Sequence, residues 1–177
     1  MTLTFDCITS ANDPRFAEVM ALYAIAFPRH EQRESDAQNR ILSYPDYRCV
    51  ALRDGETFVG LICWWDAGPF LYVEHIAIRS DLRGKGYGRC ALRQLQDTGK
   101  PILLEIDPPV DVISIRRRDF YLSLGFRVNP HEHLFPPYHA GEASHPMVLL
   151  SFPDVQSNAE VLIFRRFIEQ RVMKNAF

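Results

Sequence analysis

Leu82-Arg83-Gly84-Lys85-Gly86-Tyr87-Gly88-Arg89 comes directly after an extended apolar run, Phe70 to Arg79, and directly before a helical pattern. Three glycines at alternate positions let a backbone fold around an anion without Cβ clashes. The unpaired N–H groups of a first helical turn then point at that anion with the helix dipole behind them. Arg83, Lys85 and Arg89 add formal positive charge. The stretch therefore reads as a strand-to-helix turn that holds phosphate. Two well-known phosphate loops fit it badly. A Walker loop needs a glycine where Arg79 stands and a Ser or Thr where Gly86 stands. A dinucleotide fingerprint needs GxGxxG in the first strand-turn-helix unit, whereas this is GxGxG at mid-chain after several strands.

The pattern Arg/Gln-x-x-Gly-x-Gly/Ala does fit, as Arg83-Gly84-Lys85-Gly86-Tyr87-Gly88. Upstream lies Leu71-Tyr72-Val73-Glu74-His75-Ile76-Ala77-Ile78, and downstream Ile102-Leu103-Leu104-Glu105-Ile106-Asp107-Pro108-Pro109 and Asp119-Phe120-Tyr121-Leu122-Ser123-Leu124-Gly125-Phe126. In this order the four segments resemble the central strand, pyrophosphate loop, next strand and following helix of the GCN5-related N-acetyltransferases. The match spans about residues 70 to 126; the N-terminal part fits more loosely and residues 127 to 177 barely constrain it.

At 177 residues, with 47% apolar and 24% charged residues, the chain suits one hydrophobic core, so residues 1 to 177 read as one domain. The net charge of −2 lacks the basic excess of a dedicated nucleic-acid binder. No run approaches the roughly 18 apolar residues of a membrane span. Asp6, Asn12 and Asp13 stand where a signal peptide would be apolar, which leaves the cytoplasm as the expected compartment. Cys7, Cys49, Cys63 and Cys90 form no CxxC pair and read as buried reduced thiols. His131, His133, His139 and His145 crowd one segment, but their spacing matches no metal-binding helix face, so no metal is expected.

Alternation of Leu3, Phe5 and Cys7 predicts an opening strand over 2–8. Asn12-Asp13-Pro14 then starts a helix that runs to Pro28, and a second, more exposed helix is expected between His30 and Tyr44. Two apolar runs, 48–53 and 57–65, read as a hairpin turned by Asp54-Gly55-Glu56. After the phosphate turn come a helix to Thr98, a strand covered on both faces over 102–106, and a helix over 112–124 with Ile113, Phe120, Tyr121, Leu122 and Leu124 inward. Residues 130–146 read as an irregular, lid-like segment, followed by a last strand over 147–152 and a terminal helix over 158–172 with Val161, Phe164, Ile168 and Val172 on one face. Helices alternating with hairpin-like strands imply an α/β domain with a mixed sheet. The resemblance implies the same architecture, a mostly antiparallel sheet flanked by helices.

The resemblance also implies an activity: acetyl-CoA-dependent acetylation of a primary amine, small-molecule or peptide, by direct attack in a ternary complex. Transfer of another acyl group, or a CoA-binding regulatory module without turnover, are the alternatives. By resemblance the diphosphate falls to Arg83, Gly84, Lys85, Gly86, Tyr87, Gly88 and Arg89, and the pantetheine arm and thioester oxygen to backbone groups of Ile76, Ala77 and Ile78. An alkyl amine with a pKa of about 10.4 must lose a proton before attack. Strand alternation puts Tyr72, Glu74, Ile76 and Ile78 on one face and Val73, His75 and Ala77 on the other. Glu74 is the expected base, because a charge in an apolar strand is costly without a reason; an ion pair with an arginine is its alternative. His75 is turned away by parity and reads as a core histidine. Tyr121 takes the family's proton-donor position toward the departing thiolate. Phe27, Glu31 and Tyr72 are expected on the acceptor side, with a solvated helix start as the plainer account of Glu31. One of Arg116, Arg117 and Arg118 could reach the CoA 3′-phosphate or Glu105. The acceptor stays open, as does homodimerisation.

Overall fold

The structure, a computed structural model, describes residues 2–176. Its chain order is β1 (Thr4–Ile8), α1 (Phe16–Ala26), α2 (Ser35–Ile41), β2 (Tyr47–Asp54), β3 (Thr57–Asp66), β4 (Leu71–Ile78), α3 (Tyr87–Gln96), β5 (Ile102–Ile106), α4 (Val112–Leu122), β6 (Arg127–Val128), β7 (His133–Phe135), β8 (His145–Phe152) and α5 (Asn158–Phe167). The strands form one mixed sheet in the order β1-β2-β3-β4-β5-β8-β6, with β7 added to β8. Every pairing is antiparallel except β4 with β5. The expected mixed, mostly antiparallel α/β fold is therefore the one observed. Among the described residues no helix is long and apolar enough to cross a membrane.

Strand alternation divides the apolar residues between two cores, one on each face of the sheet. One holds Val19, Tyr23, Ile41, Trp65, Tyr72 and Phe164, so α1, α2 and α5 cover that face. The other holds Val73, Leu92, Leu95, Leu104, Tyr121 and Leu150, so α3 and α4 cover the opposite one. Central β5 supplies both, Leu103 to the first and Leu104 to the second. Local signals fix the helix starts. Asp111 accepts from the Ile113 and Ser114 amides (2.8 Å each), and Ser157 forms the corresponding capping box with Glu160.

Several expected boundaries move. Pro14 lies in the turn before α1 and outside the helix. The span 30–44 splits into a 3₁₀ turn, Arg29–Glu31, and the short α2. Helix α4 stops at Leu122, and Ile113 and Leu122, expected inward, are 72% and 39% exposed. A helix against a sheet covers only its stripe, and these two residues lie off it. The segment 130–146 contains β7, and β8 begins at His145, so part of the irregular stretch is sheet. Cys49 and Cys63 are buried, whereas Cys7 is exposed. The terminal helix agrees with its pattern: Val161, Phe164, Ile168 and Val172 are all buried. Its last turn, Ile168–Val172, widens to a π-helix.

Two irregularities in β4 create the site. His75 pairs with Cys63 and Val73 with Trp64, so Glu74 is an extra residue, a β-bulge. A bulge resets alternation. Val73, Ile76 and Ile78 therefore pack on one core, while Tyr72, Ala77 and His75 face the other, His75 against Tyr23 and Phe27. The unbroken alternation expected across 72–78 is corrected by this bulge, and His75 is not turned away from the Tyr72 side. The second irregularity is a splay. β4 and β5 pair only over Leu71–Val73 and Ile102–Leu104. Beyond Val73 and Leu104 the parallel strands part.

Candidate active site

The gap between β4 and β5 opens into a cavity of about 600 Å³, walled by Val73, Glu74 and Ile76 to Ile78 on one side and Leu104 to Ile106 on the other. One end reaches the turn before α3. Gly84 and Gly86 sit there at φ of 78° and 88°, the left-handed region that side chains avoid. A Cβ at either position would meet no atom within 4 Å, so conformation rather than space requires the glycines. The Cys90 amide is bonded to the Gly86 carbonyl at 2.9 Å, and the amides of residues 87–89 before it have no acceptor one helical turn back. They are free for an anion, with the α3 dipole behind them. Arg83, Tyr87, Gly88 and Arg89 line the cavity. Arg89 also donates to the Ser123 hydroxyl at 2.8 Å and Tyr87 to Asp54 at 2.9 Å, which orients both side chains. Lys85 is exposed and does not line the cavity.

These features fit a nucleotide diphosphate with an extended arm. Anion donors stand at one end, and the stretch Ile76 to Ile78, paired with β3 on one edge but left without a strand partner on the β5 edge, leads away from them. Tyr121 projects from α4 into the same cavity, and no described residue hydrogen-bonds its hydroxyl. Burial pushes its pKa from 10 up to about 12, with Arg117 pulling weakly the other way. Arg117, bonded to Asp107 at 2.9 Å, is the arginine of the 116–118 run that lines the cavity.

Three glutamates line the cavity, and their surroundings differ. Glu74, the expected base, has a side chain only 1% exposed. Arg33 and Tyr138 donate to its Oε1 at 2.6 and 2.8 Å, and Trp65 to its Oε2 at 2.9 Å. Burial alone would raise its pKa; the Arg33 guanidinium, His75 and these hydrogen bonds outweigh that and hold it below the ordinary value. This is the ion-pair alternative, and a carboxylate so engaged is a poor proton acceptor. Arg33 also donates to the Val172 carbonyl at 2.8 Å and lies over the Tyr138 and Trp65 rings. Glu105 is likewise closed in: Tyr72 donates to it at 2.7 Å, and His133 bonds its other oxygen. Tyr72, expected on the acceptor side, is therefore a core residue, 2% exposed, and does not line the cavity. Glu31 is the exception. No described residue hydrogen-bonds its carboxylate, and its side chain is 22% exposed into the cavity beside Phe27.

The segment 130–146 is tied down by these same groups. Tyr138 reaches Glu74 and His133 reaches Glu105, while His139 bridges Glu34 (2.6 Å) and the Arg29 carbonyl (2.9 Å). His131 bonds the Gln156 carbonyl and His145 stacks edge-on against His30. The four histidines thus act separately, and among the described residues no three potential ligands converge on a metal site. Sequence reasoning did not pair Arg33 and Tyr138 with Glu74, or His133 with Glu105. The available signal was the buried charge itself, since a carboxylate inside each of two apolar strands requires donors from elsewhere.

The acetyltransferase (GNAT) family model matches residues 16–126. The chain belongs to that family. A solved GNAT-family protein from Bacteroides thetaiotaomicron is 28% identical over 96% of this chain and 98% of its own, with a TM-score of 0.89. At lower identity the likeness is one of fold. Arabidopsis thaliana Naa50, solved with the bisubstrate analogue CoA-Ac-MVNAL, is 14% identical over 85% of this chain and 98% of its own (TM-score 0.60). A Bacillus subtilis acetyltransferase solved with CoA is 18% identical over 85% and 97% (TM-score 0.55). No curated protein matches the chain.

Proposed function

We propose that the protein is a cytoplasmic, acetyl-CoA-dependent N-acetyltransferase that acetylates a primary amine by direct attack in a ternary complex. The observation that carries this reading is the continuity of one cavity from the glycine turn, along the unpaired edge of β4, to Tyr121 and Glu31. Acetyl-CoA would bring the thioester. Amides of residues 84–89, with Arg83 and Arg89, hold its diphosphate, and backbone groups of Ile76, Ala77 and Ile78 extend the sheet onto its arm. Fixed backbone donors stabilise developing negative charge without reorganising during reaction. Tyr121 protonates the departing thiolate; a phenol raised to about 12 stays protonated at neutral pH and so holds a proton to give. Glu74 acts from behind, holding Arg33 and Tyr138 in place. Phe27 and Glu31 face the acceptor.

Calorimetric titration with coenzyme A, followed by a CoA-release assay over a panel of primary amines with acetyl-CoA and succinyl-CoA, tests the reading. Binding with faster release from acetyl-CoA is expected. Absence of coenzyme A binding overturns it, and preference for succinyl-CoA corrects the donor.

A further inference from the structure

We infer that Glu31 is the group that takes the proton from the acceptor ammonium, a catalytic role that rests on the acetyltransferase reading above. Elimination supports it first. Of the glutamates that line the cavity, Glu74 is held by three donors and Glu105 by Tyr72 and His133, whereas no described residue hydrogen-bonds the Glu31 carboxylate, whose ion-pair neighbour His30 stands 3.8 Å away. The remaining ionisable groups on the wall are arginines and phenols, which are not bases at neutral pH.

Position supports it second. Glu31 closes the 3₁₀ turn that follows α1, its amide bonded to the Pro28 carbonyl at 2.9 Å. His75 grips the turn from the bulge, its Nε2 lying 2.8 Å from the Glu31 carbonyl. A carbonyl only accepts, so Nε2 carries the hydrogen. Burial keeps the ring uncharged, despite the attraction of Glu74. A neutral ring wedged against Tyr23 and Phe27 makes His75 a positioning residue for Glu31. The bulge that places Glu74 in the ion pair also aims His75 at the turn that carries Glu31.

The chemistry is suited to the task. Partial burial raises the Glu31 pKa, and the Asp107 carboxylate adds to the shift, while His30 and Arg117 oppose it. An elevated carboxylate pKa moves a base toward the working pH. The ammonium gives one proton to a Glu31 oxygen, and the neutral nitrogen then forms the N–C bond to the acetyl carbon. The C–S bond breaks, and the sulfur takes the Tyr121 proton. The second proton lost from nitrogen restores the phenol through water, and Glu31 returns its proton to solvent.

The test separates this role from a structural one by acceptor basicity. Glu31→Gln is assayed with butylamine, which arrives protonated, and with methoxyamine, which arrives neutral at neutral pH. A kcat/KM loss of about 10²-fold is expected for butylamine, with methoxyamine turnover and coenzyme A affinity kept. Equal losses on both acceptors, or none on either, overturn the inference and leave the acetyltransferase reading standing. A carbon-13 titration of the Glu31 carboxyl provides a readout free of turnover. A pKa above that of a free glutamate is expected, and one at or below it overturns the proposal.

Discussion

The two ends of the cavity are built by opposite means. The end at the glycine turn is local: eight consecutive residues, two glycines in the left-handed region and one helix start supply nearly all of it. The end around Glu74 is assembled from distant chain. Arg33 meets Glu74 across 41 positions, Tyr138 meets Glu74 across 64, and His139 meets Glu34 across 105. The difference teaches where a sequence speaks. Backbone conformation is encoded beside itself, but a buried charge is satisfied by whatever the fold brings near it.

The largest effect should come from the distributed end. Glu74→Leu strands a buried guanidinium and should cost about 3–5 kcal/mol in urea unfolding, most of it regained in the double variant with Arg33→Met. A loss of about 1 kcal/mol or less, as for a surface pair, would break the comparison. Next, Tyr121→Phe should lower kcat by about 10²-fold with coenzyme A affinity nearly unchanged. An unaltered kcat removes Tyr121 from the chemistry. At the local end, Gly86→Ala forces a side chain into the left-handed region, at a cost of about 1–2 kcal/mol. Coenzyme A binding should weaken by about tenfold in calorimetry while β-sheet circular dichroism is kept.

The smallest effect is a pH dependence. Both His139 nitrogens face acceptors. The Arg29 carbonyl raises its pKa first and Glu34 and Glu142 add to it, against some loss from burial. The sign follows from a folded pKa above the unfolded one. The stabilisation is complete below the ordinary histidine value near 6.5 and fades as pH rises through the higher folded value. Limited proteolysis within 130–146 should therefore quicken on the alkaline side, and His139→Ala should abolish that dependence. A proteolysis rate that is flat across this range breaks the link.

The same contrast explains what was legible. The turn at 83–89, the strand before it, the hairpin and the apolar stripe of the terminal helix follow from short-range pattern, and the structure has them close to where they were expected. Glu74 was recognised as a costly charge, but pattern could not name Arg33 as its partner. His75 was misplaced because alternation counts residues, and a bulge adds one that no periodicity marks. Segment 130–146 was read as loose from its prolines and histidines. Its anchors lie on other elements: Glu34, Glu74 and Glu105. Glu31 stands out in the sequence for its place after α1, yet the absence of a hydrogen-bond donor on its carboxylate among the described residues matters only once the rival carboxylates are seen to be engaged.

The brief meeting of β4 and β5 also has a mechanical consequence. Three residue pairs, the whole strand ladder between β4 and β5, act as the spine of an open book. An extended guest that completes the ladder is mortar as well as reactant. At a concentration about 100 times Kd it would reinforce the molecule by about 2.7 kcal/mol, so the tightest, slowest-exchanging form of this protein is the one caught in the middle of its work.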